Sequence, residues 1–285
     1  MANKKIERPV FIIGCNNSGS TVLARALTMH PALCSLPLME SPDDYGQYHH
    51  LEMQDLKDKG LPKELTHWTG KQTARLWATN EFQGVLTATD KDYTPSLARR
   101  TKTVLGWFGQ KGKRLVLTSP ANLLRARLLL AIFPDAKFIG LVRYPYAVVE
   151  GAREKRWRDP QRPWISGMPT TIKQAAEQWE NANVLLLSLQ QFLDDRLLIV
   201  HYEDLVAKPK ATLNQVLAFL GLNGKGVQVP HLKRGLNQRQ AERLTAYERE
   251  VIEQICWPMM DHFGYPRPKP QVWQPKRRKH LKSRQ

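Results

Sequence analysis

Pro9-Val10-Phe11-Ile12-Ile13-Gly14-Cys15-Asn16-Asn17-Ser18-Gly19-Ser20-Thr21 is the stretch on which the fold turns. A short apolar run ends in glycine, a polar loop follows, and Ser20 to Met29 consists of good helix formers, so the stretch reads strand, loop, helix. At such a junction the backbone N–H groups and the helix dipole converge on an anion, which places a phosphate or sulfate against Asn16 to Thr21. Glycines at the first and sixth positions followed by a hydroxyl residue match the Walker A frame, but Ser20 stands where that frame requires lysine. A P-loop kinase needs that lysine to bridge the β- and γ-phosphates, so a nucleotide kinase is only an alternative reading.

Working outward, the strand-then-helix pattern recurs at Arg114 to Leu117 with Leu123 to Phe133, and at Lys137 to Val142 with Tyr146 to Arg156. A fourth strand, Leu197 to Val200, precedes a helix over Lys208 to Leu220. Between them Ile172, Ala175, Ala176, Trp179, Ala182, Leu186, Leu189 and Leu193 recur at a period near 3.6 and mark one face of a long helix. This alternation predicts an α/β three-layer sandwich: a central, mostly parallel sheet with helices on both faces and a P-loop-like strand-loop-helix. Residues 41–110 and 157–169 lack clear periodicity and are expected to be acceptor-side or lid insertions. Residues 1–264 are expected to form one domain.

The formal net charge is +17, and a basic surface attracts polyanions. After Asp261 no acidic residue follows, yet Arg267, Lys269, Lys276, Arg277, Arg278, Lys279, Lys282 and Arg284 do, among Pro266, Pro268, Pro270 and Pro275. Residues 265–285 are therefore expected to be a disordered basic tail, either merely solvated or in contact with polyanions or an anionic membrane surface. The apolar runs are too short to cross a bilayer, and the basic N-terminus leads straight into the glycine loop, so a cytoplasmic protein is expected. Cys15, Cys34 and Cys256 have no metal-ligand spacing and are expected to be buried free thiols.

Asn17-Ser18-Gly19-Ser20-Thr21 with its flanking strand and helix, followed by His30-Pro31, resembles the opening of the PAPS-dependent sulfotransferases, whose donor is 3′-phosphoadenosine-5′-phosphosulfate. Four further segments agree in order and spacing. They are Leu117-Thr118-Ser119-Pro120 with Phe133-Pro134-Asp135-Ala136-Lys137-Phe138; Leu141-Val142-Arg143-Tyr144-Pro145; Trp179 with Asn183; and His201-Tyr202-Glu203-Asp204-Leu205 followed by Pro209, Thr212 and Phe219-Leu220-Gly221. The resemblance spans roughly Pro9 to Gly221. It implies that Asn16, Asn17, Ser18, Gly19, Ser20 and Thr21 hold the 5′-phosphosulfate and that Arg143 binds the 3′-phosphate. It also implies that Tyr202 lies near the nucleotide and that Lys233 and Arg234, before Gly235, clasp the 3′-phosphate. Glu203 and Asp204 are expected to cap the following helix.

The resemblance further implies sulfuryl transfer from PAPS to an acceptor hydroxyl or amine, with no metal and with a carboxylate base shortly after the first helix. Glu40 is the expected base, with Asp43, Asp44 and His49 as alternatives; His30 is expected to end the first helix instead. Trp68, Trp77, Trp107, Trp157 and Trp164 are candidates for stacking on an acceptor that the sequence does not identify. Three positions depart from the family pattern. Asn17 stands where a cation is common, Thr118 where a lysine is often found, and Gly151 where a serine is common. Arg153, Lys155 or Arg156 are candidates to supply replacement charge. A nucleotide-binding relative without activity is thus the second reading.

Overall fold

The computed structural model describes residues 4–36, 38–40, 48–50, 56, 58–66, 78–80, 88–158, 171–224, 232 and 234–266. Its central sheet is built on β1 (Val10–Gly14), β2 (Leu33–Ser35), β5 (Arg114–Thr118), β6 (Lys137–Val142) and β7 (Leu197–His201) in the order β2-β5-β1-β6-β7. Every pairing in it is parallel, with Ile12 beside both Thr118 and Ile139. β1 is buried along its whole length, which is why it reads as an unbroken apolar run rather than as an alternation.

The pleat sorts the side chains into two cores. Val10 and Ile12 join Val116, Ile139 and Leu141 against α1 (Ser20–Thr28), α7 (Tyr202–Ala207) and α8 (Pro209–Phe219). Phe11 and Ile13 join Leu117, Phe138 and Val142 against α4 (Ala126–Ile132), α6 (Ile172–Leu193) and α10 (Ala246–His262). The result is the three-layer α/β sandwich expected from the alternation of strands and helices. Trp179 is fully buried at the centre of α6, and its face carries Ala175, Ala176, Ala182, Leu186, Leu189 and Leu193 as the periodicity requires.

Some elements differ from expectation. The helix expected over Leu123 to Phe133 is split into a 3₁₀ segment, Pro120–Arg125, followed by α4. The stretch expected to be irregular, 41–110, contains β4 (Tyr48–His50), which pairs antiparallel with β3 (Leu38–Glu40), then α2 (Lys63–Thr66) and α3 (Pro95–Gly106). α3 has a local cause: the Thr94 hydroxyl accepts from the Leu97 N–H at 3.1 Å and Pro95 takes the first turn, where no N–H is needed. α5 (Pro145–Arg158) and α9 (Leu236–Glu242) complete the frame around the sheet's C-terminal edge. Cys15, Cys34 and Cys256 are buried free thiols, as expected. Among the described residues no helix is long and apolar enough to cross a membrane. Residues 157–158 end α5, whereas 159–170 and the tail beyond 266 lie outside the described residues.

Candidate functional site

The loop leaving β1 turns through two left-handed residues, Asn17 at φ 63° and Gly19 at φ 98°. Asparagine is among the side chains that tolerate this region, so the residue standing where the family commonly has a cation also suits the turn. Gly19 sits at the N-cap of α1 with no side chain capping it, and a Cβ there would meet Tyr202 Cδ2 at 2.5 Å. Gly19→Ala is therefore expected to cost about 1–3 kcal/mol in backbone strain, more if the Tyr202 ring cannot shift. Thermal unfolding checks the stability loss, and nucleotide titration checks whether the loop survives it.

Two buried polar groups in this region are left unpaired among the described residues. Ser18 is 1% exposed and its hydroxyl finds no partner among the described residues. Asn122, in the 3₁₀ segment that follows β5, is fully buried, and among the described residues neither its amide oxygen nor its amide nitrogen is paired. Each such group costs about 1–3 kcal/mol unless something completes it. For Ser18, next to the open N-terminus of α1, an anion with oxygen acceptors fits. Asn122 was not among the residues singled out from sequence: it stands just before the helix expected over Leu123 to Phe133 and carries no local signal. Asn16 ties the loop to α6 through Gln178, 3.1 Å from its amide nitrogen.

Arg143 follows β6 and is 6% exposed. Its Nη1 donates to the Asn17 carbonyl at 2.8 Å, its Nε to Asn237 Oδ1 at 2.9 Å and its Nη2 to Gln240 Oε1 at 2.7 Å. The guanidinium lies 4.3 Å from the centroid of the Tyr202 ring. Burial pulls its pKa below the ordinary value, against the opposing pull of Tyr202 and Glu203. The Arg143 carbonyl accepts from Trp179 Nε1 at 2.8 Å, so the buried tryptophan fixes the arginine's backbone. Asn17, Gly19, Arg143 and Tyr202, four of the residues named from sequence, thus form one connected group.

Glu203 does not act as the expected cap. Its carboxylate accepts from the Tyr144 N–H at 3.0 Å, from Tyr265 Oη at 2.9 Å and from the Asn237 amide. Burial first, and Glu203 second, push the Tyr265 hydroxyl far above its ordinary value, so it remains a donor. Glu203 and Tyr265 pin the start of α7 to the chain leaving α10, an assembly with no local sequence signature. Arg153 does not supply charge to the loop either: its Nη1 is 2.9 Å from Glu248 on α10. Side chains of Lys155 and Arg156 are outside the described residues.

Arg234 is exposed, its carbonyl accepting from Arg239 at 3.2 Å, and Gly235 opens α9 in the left-handed region. Lys233 lies outside the described residues, as do Asp43, Asp44, Trp68, Trp77 and Trp164. Glu40 is placed by its backbone at the end of β3, opposite Tyr48, with His49 opposite Met39; nothing is described of these side chains. His30 is structural: its Nε2 is 3.1 Å from the Asn223 carbonyl, and its Nδ1 accepts from Ala32 N–H.

A parallel sheet whose central strand leads through a loop into a helix N-terminus, with a buried arginine after the neighbouring strand, defines a P-loop-like α/β protein, a fold in which ligands bind at the C-terminal edge of the sheet. More specifically, the chain belongs to the sulfotransferase family, whose model matches residues 9–225. The omega-hydroxy-beta-dihydromenaquinone-9 sulfotransferase Stf3 of Mycobacterium tuberculosis is 25% identical over 175 residues, covering 58% of this chain and 44% of that protein. The protein-tyrosine sulfotransferase of Drosophila melanogaster is 23% identical over 253 residues, covering 86% of this chain and 44% of that protein. The chain thus spans under half the length of these curated relatives. Among solved structures, the sulfotransferase domain from the Synechococcus PCC 7002 olefin synthase matches with TM-score 0.54 at 24% identity, covering 94% of this chain and 98% of that one. Sulfotransferase STF9 from Mycobacterium avium matches with TM-score 0.58 at 18% identity, covering 92% and 78%.

Proposed function

We propose that this chain transfers a sulfuryl group from PAPS to an acceptor hydroxyl or amine. The observation that carries the reading is the convergence of the Asn17 turn, Arg143 and Tyr202 at the C-terminal edge of the sheet, in a chain of the sulfotransferase family. The Ser18 hydroxyl and the N–H groups from Asn16 to Thr21 hold the 5′-phosphosulfate. Arg143, whose planar fork suits a phosphate, holds the 3′-phosphate, with Arg234 and Lys233 alongside.

In the transfer, the acceptor's oxygen or nitrogen bonds to sulfur as the bridging oxygen–sulfur bond breaks, the acceptor proton goes to a carboxylate and PAP departs. Glu40 is the carboxylate we assign. β3 continues from the C-terminal end of β2, the same edge of the sheet at which the loop after β1 emerges, which supports its reach to the site. The loop's donors stabilise charge on the sulfuryl and leaving oxygens, and positioning supplies much of the rest. No metal enters this scheme.

The acceptor class is not assigned, since the two relatives differ in theirs by name, a menaquinone derivative in one and protein tyrosine in the other. We read residues 1–264 as the catalytic unit, working in the cytoplasm, and the basic tail as an accessory for polyanions or an anionic membrane surface. One observation favours a second reading, a nucleotide-binding relative without activity: Asn17 places no cation at the loop and Thr118 none at the end of β5.

Calorimetric titration with PAP, against ATP with Mg²⁺, tests the donor site. Micromolar PAP binding in preference to ATP is expected, and preference for Mg²⁺-ATP would overturn the reading in favour of a kinase. Transfer of labelled sulfate from PAPS to an acceptor panel then separates the enzyme from the inactive relative.

A further inference from the structure

Arg143 is a buried cation whose three acceptors, the Asn17 carbonyl and the side-chain amides of Asn237 and Gln240, are all uncharged. The carboxylates that could neutralise it stand one hydrogen bond further out. The Gln240 amide nitrogen donates to Glu150 Oε2 at 2.8 Å, and the Asn237 amide nitrogen donates to Glu203. Glu150 is itself fully buried and takes Arg243 as its own cation at 3.2 Å. Each amide therefore faces the arginine with its oxygen and a carboxylate with its nitrogen, and its orientation is fixed by charge at both ends.

Gln240 comes from α9 and fits here because residue 151 has no side chain. A Cβ on Gly151 would lie 3.3 Å from Gln240 Nε2 and 3.7 Å from Asn17 Cβ. Gly151 is thus the floor on which the α9 amide and the loop after β1 both close around Arg143. A buried guanidinium is costly without an anion, and here the direct counter-anion position is kept by neutral groups.

Resting on the PAPS reading, we infer that Gln240 determines specificity for the 3′-phosphorylated nucleotide: as a neutral spacer between Arg143 and Glu150, it keeps the positive charge of Arg143 available to a phosphate monoester. A glutamate in its place would neutralise the arginine directly and repel the incoming dianion.

The test compares PAP with ADP, which has the 5′-diphosphate and lacks the 3′-phosphate, in calorimetric titrations of the full chain. Two variants are used, Gln240→Glu and the charge-conserving exchange Gln240→Glu with Glu150→Gln. The exchange moves one carboxylate a single hydrogen bond inward while keeping net charge and the order of partners, so its thermal midpoint reports whether the fold is kept. In both variants the PAP-to-ADP affinity ratio is expected to fall at least about tenfold, with ADP affinity within about twofold of the parent. A ratio unchanged in both overturns the inference and leaves Gln240 a packing residue. A parent chain that binds PAP and ADP equally overturns the 3′-phosphate reading of Arg143 itself, and the inference with it. If Gln240→Glu unfolds, the exchange variant decides.

Discussion

Arg143→Ala is expected to weaken PAP binding by about 2–5 kcal/mol, roughly 30-fold to several thousand-fold, while ADP binding changes far less. The magnitude follows from burial. At 6% exposure Arg143 is shielded from the solvent screening that makes surface charges nearly worthless. Removing it strands the Asn17 carbonyl and the Asn237 and Gln240 amide oxygens, which lose donors at 2.7 to 2.9 Å, and exposes the Tyr202 face. Some loss of stability must accompany the change, so two controls separate structure from binding. The ADP comparison isolates the 3′-phosphate, and Arg143→Lys keeps the charge but loses the planar fork. The lysine variant is expected to lie between wild type and alanine for PAP. Unchanged PAP affinity in Arg143→Ala would remove Arg143 from the site.

Glu40→Gln should leave PAP affinity intact and depress sulfuryl transfer by about 10²- to 10⁴-fold, the usual contribution of a positioned base. The substitution keeps size and hydrogen-bonding reach but removes the ability to accept a proton, so a fall in rate at constant donor affinity isolates the proton-transfer role. Single-turnover transfer from labelled PAPS is the measurement of choice, because product release cannot then mask the chemical step. An undiminished rate would move the role to Asp43, Asp44 or His49, which the same assay ranks. The strand pairing bears on this ranking: Glu40 sits at the end of β3 opposite Tyr48, and His49 faces Met39 across the hairpin.

The parts of this molecule that could be read from its sequence are those governed by local periodicity. β6 ran from Lys137 to Val142 as expected, and α6 buried the face marked by Ala176, Trp179 and Leu186, because both patterns depend only on side-chain spacing. Thr94-Pro95 at the start of α3 was an available signal within a stretch whose overall polarity obscured it. Thr245 with Glu248, which form a capping box at the start of α10, was another. What spacing does not encode is the set of long-range partners at the site. Asn237 and Gln240 reach Arg143 from 94 and 97 residues away. Glu203, expected to cap a helix, instead joins Tyr144, Asn237 and Tyr265. These residues look like ordinary surface polar groups until the sheet brings their helices to one edge.

The position of β1 has a consequence for how the chain comes to be made. Its neighbours are β5 and β6, so Val10 finds its partners at Val116 and Lys137, more than a hundred residues later. During synthesis at roughly 5–20 residues per second, this wholly buried apolar strand waits several seconds on the ribosome before either neighbouring strand can pair with it. Loop closure over such distances is slow, and an unpaired, fully hydrophobic strand is a site for misassociation in the meantime. Chaperone occupancy of nascent chains from which β6 has not yet emerged, and its release once β6 has emerged, is the behaviour this topology leads one to expect during biosynthesis.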